Sequence, residues 1–264
     1  MNKLLHELMN RKEELQKVID NADSFLSKAP QGYLRIDHSK RFPHFYHVTQ
    51  SHSNGKYINK ENFKVAVSLA QKEYYQKMII EAKDEMRQVE RMVAFYESHS
   101  ADYSYSDFSE SKRALIKPVL LDDDTYARFW LAQTVETNPF YPDGLIRQTR
   151  RGEMVRSKTE TFQANIYYEL GIPYRYESIL RMRNGNVYYP DFTLLDKRNR
   201  RVIIHEHLGL LDDEEYRRKT MTKLDDYERN GIYVGKNLIL TSESPEHPFN
   251  PEQFRKRIQD TFQL

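Results

Sequence analysis

The chain has 264 residues and a mass of 31.7 kDa, which allows one large domain or two of ordinary size. Charged residues make up 30% of it, but 19 Tyr and 13 Phe supply the bulk of a core, which excludes a wholly disordered chain. The absence of cysteine excludes disulfide scaffolds, cysteine-ligated zinc and thiol catalysis. No apolar run approaches the roughly 20 residues of a membrane span, and no signal-peptide core is present, so we expect a cytoplasmic protein without a membrane partner.

The first hundred residues are predicted to form two long helices around a small β-element. Apolar residues alternate at spacings of four and three in both helices. They are Leu4, Leu8, Leu15, Val18, Ala22 and Phe25 in the helix over 3–27, and Tyr75, Ile79, Ala82, Met86, Val89, Val93 and Tyr96 in the helix over 60–98. The segments 32–37 and 44–50 are predicted strands, and Ser53-Asn54-Gly55 is a turn signal.

The helix pair is expected to be either antiparallel within one chain or shared by two chains, which would bind a second copy or a partner protein. Core packing is the simpler interpretation of the apolar stripes. We predict a helical region over 1–98, a connector over 99–145 and a second domain over 146–264.

The second domain has a sharper pattern of elements. Its predicted order is a helix, three strands, a helix and a strand, at 157–171, 174–182, 187–195, 201–208, 213–229 and 236–241. The helix between the last two strands favours a parallel crossover. The fold class is therefore α/β with a mixed sheet.

Two acidic residues fall near the ends of neighbouring predicted strands. Asp191 and Glu206 each share a strand face with mostly apolar residues, since side chains alternate along a strand. Carboxylates placed together there would repel each other, and their pKa values would rise. A divalent cation removes the conflict, and carboxylate oxygens suit Mg²⁺ or Mn²⁺. Glu160 on the preceding helix offers a third carboxylate, and such a site can activate water for attack on a phosphate.

These residues resemble the PD-(D/E)XK nuclease superfamily over about 150–243. The resemblance rests on Pro190-Asp191, a spacer, Glu206, the preceding Glu160 and the order of the elements. It implies a restriction-endonuclease-like core of order α-β-β-β-α-β and metal-dependent hydrolysis of phosphodiester bonds, usually in DNA. By the same resemblance Asp191 and Glu206 hold the metal, Glu160 completes the site and the backbone carbonyl of His207 lies beside it.

The sequence departs from that family at Leu208, where the motif has a lysine. The next helix offers Lys219 and Lys223 as substitutes, and Lys223 lies four residues before Tyr227, on the same helical face. This spacing is similar to the Gln-xxx-Tyr motif of RecB-like members, with Lys in place of Gln. We prefer a lysine relocated to position 223; the alternative is a weakened or inactive site.

Simpler interpretations exist for the same residues. Asp191 could be a turn or strand-end residue, and Glu206 could form a surface ion pair with Arg201 or Lys219. His205 and His207 fall on the strand face opposite Glu206, so they do not form a zinc-protease site with it, and packing or support of the site is expected.

A basic cluster precedes the site helix and flanks the predicted site. Arg151, Arg156 and Lys158 are the expected contacts with phosphate, favoured by the helix N-terminus, although a solvated surface is the better interpretation of any single one. No base-reading motif is visible.

The sequence therefore predicts a Mg²⁺- or Mn²⁺-dependent nuclease, acting on DNA as an endonuclease. The catalytic set is Glu160, Asp191, Glu206 and Lys223, with His207, Tyr227 and Lys219 in support. Two other functions stay open. One is a non-catalytic nucleic-acid binder that keeps the fold, and the other is a coiled-coil interaction subunit of a defence or mobile-element system.

Overall fold

The computed structural model describes residues 3–39 and 41–264, which divide into two compact units with the boundary between Ala101 and Asp102. The helices are α1 (Lys3–Leu26), α2 (Phe63–His99), α3 (Glu110–Arg113), α4 (Asp123–Ala132), α5 (Lys158–Glu169), α6 (Glu214–Arg229) and α7 (Pro251–Phe262). The strands are β1 (Tyr33–Asp37), β2 (His44–Thr49), β3 (His52–Tyr57), β4 (Arg147–Gln148), β5 (Met154–Val155), β6 (Tyr174–Tyr176), β7 (Leu180–Arg181), β8 (Val187–Tyr188), β9 (Phe192–Asp196), β10 (Arg201–Leu208) and β11 (Leu238–Ser242). No helix in the described part of the chain has the length and apolarity of a membrane span.

In the first unit, α1 and α2 pair in antiparallel fashion within one chain. The ion pairs of Arg11 with Glu85 (2.7 Å) and Lys12 with Glu90 (2.9 Å) join them at one end. Towards the other end, the ring of Phe25 packs against that of Tyr75 on α2. The apolar stripes of the two helices therefore cover each other, while a homodimer through these helices stays a prediction.

The stripe predicted on α2 forms the seam of this pair, but the stripe predicted on α1 is one residue out of register at two positions. Leu4 and Val18 are exposed, whereas their neighbours Leu5 and Ile19 are buried. The observed face keeps the three-and-four spacing, with Lys12 at its polar position. The core is formed by Leu15, Ile19, Ala82, Met86 and Val89.

In the chain between α1 and α2, three strands form an antiparallel sheet of order β1-β2-β3. The two predicted strands match β1 and β2, but the turn signal at Ser53-Asn54-Gly55 lies inside β3. The chain turns earlier, between Thr49 and His52, which face each other in the register of β2 and β3. A third strand therefore replaces the predicted turn.

In the second unit, one four-stranded mixed sheet has the order β11-β10-β9-β6. β6 and β10 both run antiparallel to β9, and β11 runs parallel to β10, so α6 is the predicted parallel crossover. Local signals fix its ends: the side chain of Asp213 caps its first turn, and Gly231 follows it with a φ of 83°. The unit is of mixed α/β class.

The sheet is covered on both faces, which fixes where its polar side chains can lie. α5 and α7 cover one face through a core that includes Tyr167, Phe192, Ile203 and Phe254. α6 and the β7–β8 hairpin cover the other face through Met182, Ile204, Tyr227 and Leu238. Successive residues of β10 therefore alternate between two different helical layers.

Two of the predicted strands are interrupted. The strand predicted over 174–182 divides into β6 and β7 at Glu177, which has a φ of 41° and whose carbonyl accepts the N–H of Asn138. The strand predicted over 187–195 divides into β8 and β9, and Asp191 immediately precedes β9. Both breaks carry the hairpin away from the sheet and leave Asp191 at the strand end.

The segment predicted to be a connector, 99–145, belongs from Asp102 onward to the second unit. On α4, Ala127 and Trp130 form a small core with Leu195 of β9. The guanidinium of Arg175 stacks on the ring of Trp130 at 3.9 Å. These contacts were not predictable from the polar composition of the segment.

Candidate active site

Glu160 closes the first turn of α5. The hydroxyl of Ser157 accepts the N–H of Glu160, and the carboxylate of Glu160 accepts the N–H of Ser157 at 2.9 Å, which forms a capping box. The same oxygen, Oε2, also accepts the N–H of Arg156 (2.8 Å) and the hydroxyl of Tyr176 (2.9 Å). Glu160 lies close enough for its charge to act on Asp191, but three donors already bind its Oε2. Its Oε2 therefore stabilises the start of α5, and the role of Glu160 in the site stays a prediction.

Asp191 lies where β9 begins, beside the neighbouring strand β10. Its Oδ2 accepts the backbone N–H of His207 at 2.6 Å. Removal of water by the surrounding atoms raises the pKa of Asp191 well above its usual range, and the charges of Glu206 and Glu160 raise it further. The His207 N–H and the Lys223 ammonium oppose that rise. Asp191 is thus a carboxylate that lacks sufficient positive charge around it.

Glu206 is buried on β10 and receives two donors from α6. Its Oε1 accepts the hydroxyl of Tyr227 at 2.6 Å and lies 2.6 Å from Nζ of Lys223. Burial, followed by the charge and the hydrogen bond of Glu206, raises the pKa of Tyr227. The structure thus brings Asp191, Glu206 and Lys223 together. Neither of the simpler partners for Glu206 is used, since Arg201 pairs with Asp196 and Lys219 pairs with Glu215.

One face of α6 supplies a further residue that the sequence analysis missed. Tyr216, Thr220, Lys223 and Tyr227 recur at spacings of four, three and four, which places them on one side of the helix. Burial raises the pKa of Tyr216, and the charges of Asp191 and Glu206 add to the rise. The signal was this spacing, extended two turns before Lys223.

The two histidines of β10 lie on the opposite face from Glu206, as strand alternation predicted. His205 is fully buried, with Nε2 2.8 Å from the hydroxyl of Thr241, and burial lowers its pKa well below the usual range. His207 bonds the same hydroxyl through Nδ1 at 2.9 Å, and burial lowers its pKa. The contact of His207 with the site is its backbone N–H on Asp191, so it positions that carboxylate.

The three residues predicted to contact phosphate differ in how many partners they have in the structure. The guanidinium of Arg156 binds both oxygens of Glu177 (2.6 and 2.9 Å) and the carbonyls of Phe140 and Tyr141.

Arg151 is also committed, because it pairs with Glu153 and donates to the carbonyl of Tyr174 at 2.7 Å. Arg151 and Arg156 thus already have partners within the unit, and their contact with phosphate stays a prediction. Lys158 is exposed at the first position of α5, 5.7 Å from the ring centroid of Phe162, and stays a candidate.

The acidic pair fits a hard divalent cation in its chemistry. Within 3–39 and 41–264, no three side chains of His, Asp or Glu gather as a ready-made metal cluster. Mg²⁺, however, is commonly held by one or two carboxylates together with water and substrate phosphate. Burial, followed by the charge of Glu206, raises the pKa of Asp191, and a bound cation would favour its ionised form. Asp191 and Glu206 would hold such a cation.

We expect Asp191→Asn to stabilise the metal-free protein at neutral pH. Because the folded state raises the Asp191 pKa, it binds more protons than the unfolded state between the two pKa values. The free energy of unfolding therefore falls as pH rises through that window, by about 1.4 kcal/mol for each pH unit between the two values, and the Asn variant lacks this fall. Urea unfolding in EDTA from about pH 4 to about pH 8 measures the difference.

The control for this comparison is Asp225→Asn, which removes an exposed carboxylate of α6. Its unfolding profile is expected to run parallel to that of the wild type. If the free energy of unfolding of the Asp191 variant also changes with pH as that of the wild type does, the pKa of Asp191 is not raised in the folded state.

Comparison with known proteins gives no family for the chain. No family model and no solved structure matches it. A stretch of 87 residues, 33% of this chain, is 38% identical to the uncharacterized protein MJ1519 of Methanocaldococcus jannaschii. The match spans 7% of that protein's length, and its name assigns no activity. The assignment of a function therefore rests on the site itself.

Proposed function

We propose that this protein is a Mg²⁺- or Mn²⁺-dependent nuclease that hydrolyses phosphodiester bonds, with DNA as its substrate and endonucleolytic cleavage as its mode. The observation that carries the proposal is the acidic pair itself. Asp191 and Glu206 converge at one end of adjacent strands, with the ammonium of Lys223 2.6 Å from Glu206. The chain order α5-β6-β9-β10-α6-β11 supports a restriction-endonuclease-like core.

Each side chain has a distinct task in this proposal. A divalent cation held by the acidic pair supplies Lewis acidity and lowers the pKa of bound water. Asp191 and Glu206 hold that cation, and the His207 N–H and the Tyr227 hydroxyl fix the orientation of the two carboxylates. The ammonium of Lys223 favours the negative charge that develops on the phosphoryl oxygens during attack. Lys223 thus takes the electrostatic role left vacant at Leu208.

A second function is favoured by a specific observation. Leu208 stands at the motif's lysine position, and Lys223 already forms an ion pair with Glu206, as a structural counter-ion would. A non-catalytic nucleic-acid binder of the same fold would keep this arrangement. The two functions differ in one measurable property, which is cleavage in the presence of Mn²⁺.

We expect the purified chain to bind Mn²⁺ and to cleave DNA only when the metal is present. Asp191→Asn and Glu206→Gln keep the volume of each side chain but remove a charged ligand, so each should weaken Mn²⁺ binding by roughly tenfold or more. Isothermal titration measures binding, and digestion of plasmid, linear DNA, single strands and RNA with Mn²⁺ or EDTA measures cleavage.

The matched control is Glu215→Gln, which removes an exposed carboxylate of α6 that pairs with Lys219. Its metal binding and cleavage are expected to equal those of the wild type. Mn²⁺ binding that neither site variant alters would remove the proposed site. Binding without cleavage of any substrate would favour the non-catalytic function.

A further inference from the structure

The sequence segment that forms the sheet of the first unit is rich in basic residues. Residues 32–60 contain five Lys or Arg and one Asp, whereas the whole chain has 41 basic and 39 acidic residues. The same stretch holds five aromatic residues, at Tyr33, Phe42, Phe45, Tyr46 and Tyr57. Basic side chains interleaved with rings are the composition that binds the backbone and bases of nucleic acids.

Side-chain contacts separate the two faces of this sheet. Phe45 of β2 packs its ring against Phe63 of α2, with centroids 5.6 Å apart. Tyr46, the next residue, points to the opposite face because side chains alternate along a strand. There its ring lies 5.6 Å from the ring of Tyr57 on β3, and the guanidinium of Arg35 on β1 stacks over it at 4.7 Å.

This second face is an aromatic platform formed by Tyr33, Arg35, His44, Tyr46 and Tyr57. Tyr33 and Tyr57 are 60% and 55% exposed, although rings of this size are usually covered in a fold. His44 lies 5.6 Å from Tyr57, and its imidazole extends the row of rings.

A glycine allows close packing beside the platform. Gly55 lies two residues before Tyr57 on β3, and a Cβ there would come within 3.0 Å of the Tyr46 Cβ and 3.2 Å of the Val48 Cγ2. Its φ of 82° also disfavours any other residue.

The platform continues into a surface cavity of about 620 Å³ beside Tyr33. The cavity is lined by Val48 and by hydroxyl and amide side chains, those of Gln31, Thr49, Gln50, Ser51 and Ser53. It offers neutral donors and acceptors next to the rings, and no acidic side chain among the described residues lines it.

We propose that the aromatic platform binds single-stranded nucleic acid, with bases stacked on the exposed rings of Tyr33 and Tyr57 and a phosphate paired with Arg35. A single strand is required because the bases of a duplex are already stacked on each other and have no free face. This proposal rests on the first unit alone and does not depend on the nuclease activity proposed above.

Asp37 lies on the same strand face as Arg35, and its Oδ1 accepts the N–H of Ser39 at 2.9 Å. The rings and the arginine of the platform contact features that DNA and RNA share, which are bases and phosphates.

Fluorescence anisotropy of the full chain in EDTA tests the proposal without cleavage. The probe is a labelled oligothymidylate of about 16 nucleotides. We expect Tyr57→Ala to weaken its binding roughly tenfold, the effect of losing one stacking ring. Arg35→Gln should reduce the slope of log affinity against log salt by about 0.7, the value for one phosphate contact.

The matched control is Tyr74→Ala, which removes a tyrosine of α2 that is 59% exposed and lies outside the sheet. Its affinity is expected to equal that of the wild type, and Tyr57→Phe, which keeps the ring, should bind within about twofold of it. Circular dichroism of each variant confirms that the fold is retained.

Several outcomes would overturn the proposal. They are no binding of the oligothymidylate, equal losses in the Tyr57 and Tyr74 variants, and equal or tighter binding of duplex DNA. Equal affinity for polyglutamate or for anionic lipid vesicles would also overturn it, because the surface would then respond to charge alone.

Discussion

Replacing Lys223 with Met is expected to lower the rate of DNA cleavage by roughly a hundredfold or more, the scale of losing one electrostatic donor. The ammonium lies 2.6 Å from Glu206, at the edge of the acidic pair, so its charge is available to a phosphate bound there. Methionine keeps the apolar stem that packs beside Tyr188 and Tyr227 and removes only the charge. Cleavage under single-turnover conditions with saturating Mn²⁺ measures the effect.

Metal binding separates this role from that of a structural counter-ion. Without the ammonium, Glu206 keeps the hydroxyl of Tyr227 and loses its competing cation, so Mn²⁺ affinity should be unchanged or higher. Lys219→Met is the matched control, because Lys219 lies one turn earlier, is exposed and pairs with Glu215. A Lys223 variant that cleaves at the wild-type rate would refute the relocated-lysine mechanism.

Elements with local signals at both ends could be predicted closely from the sequence. The strand predicted over 201–208 matches β10, and the helix predicted over 213–229 matches α6, which begins after a capping aspartate and ends before Gly231. β3 was missed because Asn54-Gly55 is a strong turn signal by itself. Its strand conformation is set by pairing with β2, which a turn signal considered alone does not include.

Register was harder to predict than helix formation. In α1, two overlapping apolar stripes share Leu8, Leu15 and Ala22, and they differ in whether Leu4 or Leu5 and Val18 or Ile19 face inward. The face that α2 covers decides between them. The residues of α2 that pair with α1 lie some 70 residues further along the chain, where Glu85 and Glu90 form ion pairs with Arg11 and Lys12. Tertiary packing thus resolved an ambiguity that periodicity left open.

The candidate site shows the same limit at the level of single side chains. Strand alternation indicated Asp191 and Glu206, and the resemblance to the Gln-xxx-Tyr motif indicated Lys223 on one face of its helix. The roles of Glu160 and Arg156 were not predictable in this way. Their partners, Tyr176 and Glu177, lie on the edge strand β6 and at its end, and a sequence pattern gives no account of which hydrogen bonds a carboxylate has already accepted.

Met86→Asp is expected to destabilise the first unit by several kcal/mol. Met86 is 8% exposed and packs in the seam with Leu15, Ile19, Ala82 and Val89. The substitution removes the contacts of a buried thioether side chain, about 2 kcal/mol or more, and leaves a carboxylate without a partner in an apolar environment. Urea unfolding followed by circular dichroism measures the loss, since α1 and α2 carry most of the helical signal of this unit.

The same substitution at Met92 provides the control, because that side chain lies on α2 but is 43% exposed. Met92→Asp should change the free energy of unfolding by only about 0.5 kcal/mol, so the difference between the two variants isolates burial from helix propensity. Met86→Leu, which conserves volume, should cost less than about 1.5 kcal/mol. A Met86→Asp protein with the unfolding free energy and the solution mass of the wild type would show that the seam does not bury this residue. A change in mass without loss of helix would instead place the stripe between two chains, because the charge would then separate the copies and leave each helix folded.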